Sequence, residues 1–266
     1  MSDFSTLQLE KDPRGFATLW MDRSDKHNAF NAQMIAEMTA ALALAEADGT
    51  LRFLLLRGRG KHFCAGADLA WMQASAQLDY AANLRDAQAL AELLHRLHGL
   101  PIPTLAVVQG AAFGGAVGLA SCCDMAIAAS GAVFCLSEVR IGLVPGVISP
   151  FVVRALGERA ARRYMLTAER FSAARAAELG LLSEVVAAEE LEQTAERWAA
   201  QLLLNGPAAL KACKALLSGA GAGNVPAPMR AFTEAAIARI RVSPEGQEGL
   251  AAFLEKRLPA WQEVQA

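Results

Sequence analysis

No stretch of this sequence approaches the ~20 consecutive apolar residues that a membrane span needs; the apolar run 111–120 is short and glycine-rich. The start, Met-Ser-Asp-Phe-Ser, lacks a basic segment leading into an apolar core, so no signal peptide is read. A basic excess is also missing. Lys plus Arg number 25 against 27 Asp plus Glu, a net charge of −2, where a protein that tracks phosphates should be clearly positive. The five cysteines, Cys64, Cys122, Cys123, Cys135 and Cys213, form no C-x-x-C, and the four histidines are not spaced to complete a metal site. A disulfide framework is therefore not expected, and the thiols are read as small buried apolar residues of a soluble protein in a reducing cytoplasm.

What the chain has is bulk and apolar content. At 266 residues and 54% hydrophobic, it can bury roughly three-quarters of its unfolded surface in one large domain. Residues 4–9 and 15–22 read as strands joined by an Asp12-Pro13-Arg14-Gly15 turn. Asn31 caps an Ala/Leu/Met-rich helix ending near Gly49, and 52–57 is a buried strand. A long helix over 76–98 is stopped by Pro101 and Pro103. Strands over 104–109, 124–129 and 133–136 flank a short helix at 116–121, with 110–115 read as a loop. From Pro150 the pattern is almost wholly helical, broken at Gly157, Gly180, 205–207 and 218–228. Alternation followed by helices alone predicts an α/β core over 1–200 with a helical region over 201–266, and 218–228 as a flexible link. No repeat of fixed period is visible.

Two segments put small residues where a strand gives way to a helix: Phe63-Cys-Ala-Gly-Ala-Asp-Leu69 and Gly110-Ala-Ala-Phe-Gly-Gly-Ala116. Small side chains let a ligand approach the main chain. The first N–H groups of a helix lack intrahelical partners and can bind an anion. The second segment serves equally well as a packing turn. It is neither a dinucleotide fingerprint, whose G-x-G-x-x-G spacing it lacks, nor a phosphate loop, since no Lys-Ser/Thr follows.

In order along the chain, Ser24-Asp-Lys-His-Asn-Ala-Phe30, the two small-residue segments, Cys123-Asp124, Phe134 to Gly146 (FCLSEVRIGLVPG), Leu166-Thr-Ala-Glu169 with Ala176 to Leu181, and Phe253-Leu-Glu-Lys-Arg257 resemble the crotonase (enoyl-CoA hydratase/isomerase) superfamily. The resemblance covers essentially the whole chain. It implies a ββα spiral core, a helical C-terminal trimerisation region, and assembly as a trimer or dimer of trimers. It implies an acyl-CoA thioester as substrate, with no redox cofactor or metal. By position, the amides of Ala67 and Gly115 become an oxyanion hole. CoA contacts fall at Lys26, Ala65, Asp68, Leu69, Phe253 and Lys256, the last two often reaching a neighbouring subunit.

Family hydratases commonly place two glutamates over the acyl chain. Here one position is Glu138 and the other is Gly118, which is expected to open volume in the substrate pocket beside Gly114. Glu138 lies in an apolar run where desolvation should raise its pKa toward a useful acid or base; the competing reading pairs it with Arg140. Ile148-Ser-Pro-Phe151 stands where simple enoyl-CoA hydratases usually have Gly-Gly-Thr-Gln, and the stretch 137–164 resembles bacterial methylglutaconyl-CoA and isohexenylglutaconyl-CoA hydratases of leucine and acyclic terpene catabolism. Such substrates carry a second carboxylate, for which Arg85, Arg140 and His62 are candidates. The implied activity is hydration of a branched, carboxylated enoyl-CoA. An enoyl-CoA isomerase is the alternative, and a non-catalytic RNA-binding relative is disfavoured by the net charge.

Overall fold

A computed structural model describes residues 4–220 and 227–259. β1 (Leu7–Asp12) and β2 (Phe16–Met21) form an antiparallel hairpin. Its turn closes where the Gly15 N–H donates to the Asp12 carbonyl at 3.0 Å. α1 (Ala32–Ala47) begins where the Asn31 side chain accepts the Met34 N–H at 2.8 Å, as its sequence foretold. β3 (Leu54–Gly58), α2 (Leu69–Ser75), α3 (Tyr80–Gly99) and β4 (Thr104–Val108) follow. Next come β5 (Ala111–Phe113), α4 (Gly115–Cys122), β6 (Met125–Ala129), β7 (Val133–Cys135), α5 (Ser149–Leu156) and α6 (Glu158–Thr167). The chain continues through β8 (Phe171–Ser172), α7 (Ala173–Glu178), β9 (Glu184–Val186), α8 (Leu191–Leu203), α9 (Pro207–Ala220), α10 (Ala227–Arg241) and α11 (Pro244–Leu254).

The larger sheet has the order β1-β2-β3-β4-β6-β9, parallel throughout except for β1. A smaller sheet runs β5-β7-β8. Successive turns of the chain, β4-β5-α4 and then β6-β7-α5, each give one strand to the large sheet, one to the small sheet and a helix. Single-residue bridges Cys64↔Ala112 and Phe30↔Ala67 extend the small layer back to the two earlier turns. This is the ββα spiral. Its repeat lies in geometry and not in residue identity, which is why no period shows in the sequence.

Both faces of the central strands β3, β4 and β6 are covered, so these strands are almost wholly apolar. Leu54, Leu56, Ala106, Val108, Ala126 and Ala128 face the main core with α1, α3 and α4. The alternate residues Phe53, Leu55, Leu105, Val107 and Ile127 pack under α8 through Leu191, Ala195, Ala199 and Leu202.

Several expectations need correction. The helix expected over 76–98 is α3, which starts four residues later because Asp79 caps it; a separate short helix, α2, precedes it, capped by Asp68. The presumed loop 110–115 contains β5, and the helical half contains β8 and β9; strands of two or three residues owe their existence to partners far away in sequence. The division at residue 200 falls inside α8, and the expected link at 218–228 lies partly outside the described residues. Cys64, Cys122 and Cys135 are buried, Cys123 is half-buried and Cys213 is exposed, all as free thiols. Among the described residues no helix is long and apolar enough to cross a membrane.

The C-terminal helices fold back on this core: α10 packs on α3, and α11 lies on α2 and on the 3-10 turn Glu138–Ile141. The contact is tight at Gly249, where a Cβ would stand 1.9 Å from the Ile141 carbonyl oxygen. Gly249→Ala should therefore push α11 off the turn and destabilise the protein by about 1–3 kcal/mol. Thermal unfolding checks this, and an unchanged melting temperature would mean the two elements do not touch.

Candidate active site

The site is built by main-chain pairing. Asn28, buried and at φ +55°, donates through its amide to the carbonyls of Arg59 (2.9 Å) and His62 (2.8 Å) and accepts the Arg23 N–H (2.9 Å). That fixes the path of the chain into Phe63. The Cys64 N–H then donates to Ala111 O and the Phe113 N–H to Cys64 O, both at 3.1 Å. Two residues on, the Phe30 N–H donates to Gly66 O and the Asp68 N–H to Phe30 O, both at 2.8 Å. Gly66 (φ +101°) lies so near Phe113 that a Cβ would sit 3.4 Å from its carbonyl oxygen.

This pattern leaves two N–H groups unspent. Gly66 O and Asp68 N both face Phe30, so in an extended chain the intervening Ala67 N–H turns to the opposite edge. Gly115 is the first residue of α4, preceded by Gly114 at φ +54° and ψ −119°. A first-turn N–H has no intrahelical acceptor. Among the described residues neither amide donates a hydrogen bond, and both residues line one cavity of about 390 Å³.

Glu138 enters the same cavity from the start of its 3-10 turn. Its Oε1 lies beside Gly114, 3.1 Å from where a Cβ would be. The residue as a whole is half-buried, yet its Oε2 is shielded from solvent without a hydrogen-bond partner. Burial pushes the carboxyl up to about 7, opposed only weakly by a bond to its own backbone amide. It forms no ion pair with Arg140 among the described residues, so the competing reading of this carboxylate fails.

The structure thus brings Ala65, Ala67, Gly114, Gly115, Glu138 and Phe253 to one cavity. Phe253, expected from a neighbouring subunit, reaches the cavity of its own chain. Gly118 does not line it. A Cβ at 118 would stand 2.4 Å from Ile148 Cγ2, so the volume freed by the missing side chain is filled by Ile148, and the expected opening is absent. Asp68, expected at CoA, is committed elsewhere. Its carboxylate caps α2 by accepting the Ala70 N–H (2.9 Å) and pairs with Arg23 at 2.9 Å.

Lys26, Leu69 and Lys256 are exposed and do not line the cavity. Lys26 ends a turn tied to the site because the Ala65 N–H donates to the His27 carbonyl at 3.0 Å. Ala65 therefore has its carbonyl and not its amide to offer. Of the three residues put forward for a second carboxylate, Arg85 is exposed and away from the cavity. His62 is a structural clamp whose Nδ1 accepts the Ala111 N–H at 3.0 Å, and burial lowers its pKa. Arg140 lines the cavity, as do Arg170 and Arg241, which the sequence reading missed. Arg241 follows Ile237 by one helical turn, and that spacing put it on a buried face.

Residues 11–264 match the family model described as enoyl-CoA hydratase/isomerase. The crystal structure of an enoyl-CoA hydratase from Shewanella pealeana is 49% identical over 97% of both chains, with a TM-score of 0.80. Pseudomonas aeruginosa AtuE is 38% identical over 97% of this chain and 99% of its own, with a TM-score of 0.79. The crotonyl-CoA hydratase of Syntrophomonas wolfei is 32% identical over 257 residues, 96% of each protein. Sequence, fold and cavity agree: this chain belongs to the enoyl-CoA hydratase/isomerase family and is a hydro-lyase of the enoyl-CoA hydratase type.

Proposed function

We propose that the enzyme adds water to a branched, carboxylated 2-enoyl-CoA of the methylglutaconyl-CoA or isohexenylglutaconyl-CoA type. The observation that carries the chemistry is a carboxyl group with one oxygen shielded from solvent and unpartnered, in the same cavity as two unspent main-chain amides. The thioester oxygen accepts from the Ala67 and Gly115 N–H groups. Each such preorganised donor is worth ~2.7–4 kcal/mol once the oxygen becomes an enolate. Glu138, ionised, takes a proton from water as its oxygen bonds to C3. The C2=C3 electrons move onto the thioester oxygen, and Glu138 returns the proton to C2.

Because Ile148 fills the space at Gly118, a single carboxyl has to do both transfers, and a pKa near neutrality suits a group that accepts and then donates. The step needs neither redox cofactor nor metal. Three arginines around an otherwise largely apolar cavity support a substrate with a second negative charge, as does the resemblance at Ile148–Phe151. Lys26 and the Ala65 carbonyl are proposed CoA contacts. Assembly as a trimer or dimer of trimers belongs to the same reading, and the exposed Leu166, Leu204 and Leu217 offer apolar surface for it.

The test is steady-state kinetics on methylglutaconyl-CoA, isohexenylglutaconyl-CoA and crotonyl-CoA, with products resolved by mass. A branched substrate should be preferred and its product should carry the elements of water; a product of unchanged mass would make the enzyme an isomerase, and preference for crotonyl-CoA would end the branched reading. Glu138→Gln should lower kcat by about 10²–10⁴-fold.

Burial of Glu138 also sets two pH dependences. Hydration by the wild type should rise with pH through a midpoint near 7, since the carboxylate is the active form. Stability runs the other way. A carboxyl raised from 4.5 to about 7 on folding contributes stability that is present below pH 4.5 and lost as pH rises to 7. Glu138→Gln should therefore gain on the wild type across that window, by on the order of 3 kcal/mol above pH 7. Parallel melting curves at pH 5 and pH 8 check the sign.

A further inference from the structure

Arg241 is the last residue of α10 and lines the cavity that holds Glu138. Its Nη1 is shielded from solvent and has no hydrogen-bond partner. No carboxylate lies within ion-pair distance of it among the described residues; Asp86 acts on it only through space. Its guanidinium carbon sits 5.6 Å from the centroid of the Trp71 ring, and Trp71 lines the same cavity. The ring face offers no lone pair to the N–H donors of the group.

A charged group with a donor shielded from water and left idle is costly, and native proteins rarely keep one without use. The other two cavity arginines do not share this state. Arg140 and Arg170 are exposed, and Arg170 lies over the Phe113 ring. Those two reach solvent; Arg241 Nη1 is shielded from it and has no partner among the described residues. A planar carboxylate matches the fork of an arginine and pairs with it most strongly where water is excluded.

We propose that Arg241 binds the carboxylate at the far end of the acyl chain and thereby selects carboxylated over neutral enoyl-CoA substrates. This rests on the substrate reading above and assigns that selectivity to one side chain. Arg241 makes no contribution to the proton transfers at Glu138.

The experiment compares kcat/KM for a 3-methyl-branched 2-enoyl-CoA ending in a carboxylate, its neutral carboxamide isostere, and crotonyl-CoA, in wild type, Arg241→Met, Arg241→Gln and Arg241→Lys. Wild type should favour the carboxylate over the carboxamide. The Met variant should lose about 10²-fold on the carboxylate, chiefly through KM, with the two neutral substrates little changed. Lys should recover part of the loss, since it restores the charge without the fork. Gln gives a second neutral variant should Met fail to fold.

If wild type discriminates and the neutral variants discriminate equally well, the role of Arg241 is refuted while the substrate reading stands. If wild type does not discriminate, the substrate reading fails and this assignment with it. An equal loss on all three substrates with a lowered melting temperature would make Arg241 a packing residue and overturn the proposal.

Discussion

Everything at the site depends on two short stretches of main chain being paired on one edge and left unpaired on the other. The bonds Cys64 to Ala111, Phe113 to Cys64, Phe30 to Gly66 and Asp68 to Phe30 lock the segment 64–68 between Phe30 and β5. They use the groups that would otherwise close the site and spare the Ala67 N–H. Gly114 does the same for the second donor, because its positive φ starts α4 abruptly and leaves Gly115 at the first position. In the proposed mechanism, two amides held by a sheet-like lattice need no rearrangement when charge develops on a thioester oxygen, and that preorganisation would be the source of their catalytic value. No side chain contributes to the hole. The sequence requirement is therefore only that residues 66 and 114–115 be small.

The second component is a controlled cost. A carboxyl group with a shielded, unpartnered oxygen destabilises the fold whenever it is ionised, and in the proposed mechanism Glu138 carries that penalty at the pH where hydration would run. The surroundings maintain it. α11 presses on the turn through Gly249, and Ile148 occupies the space that a side chain at position 118 would have used. The C-terminal helices are therefore part of the site, because Ile237, Arg241, Leu250 and Phe253 complete the wall of the cavity that holds Glu138.

How much of this the residues disclosed follows from how local each feature is. The Asn31 cap, the hairpin turn at 12–15 and the small-residue character of 63–69 and 110–116 depend on neighbours a few positions away, and all were legible. The desolvation of Glu138 was legible too, since an apolar run surrounds it in sequence as in space. β5, β8 and β9 were not, because a strand of two or three residues is defined by its distant partner. The reading of Gly118 failed for a related reason. A missing side chain signals an opening only if nothing else moves in, and the side chain that does, Ile148, is thirty positions away. Asp68 was placed at CoA by family position, whereas the fold uses it to cap α2. Arg241 could have been found one turn after Ile237, yet nothing in the sequence said that its helix end would turn into the cavity.

In the proposed mechanism the Ala67 and Gly115 amides jointly hold the thioester oxygen, with the Glu138 carboxyl over the adjoining carbons. A crystal structure with a bound, slowly reacting acyl-CoA tests it directly. The account predicts the thioester oxygen about 2.7–3.1 Å from both amide nitrogens and a Glu138 oxygen within hydrogen-bond reach of a water or proton at C2 or C3. A thioester oxygen bonded to neither amide, or an acyl chain running away from Glu138, would contradict it.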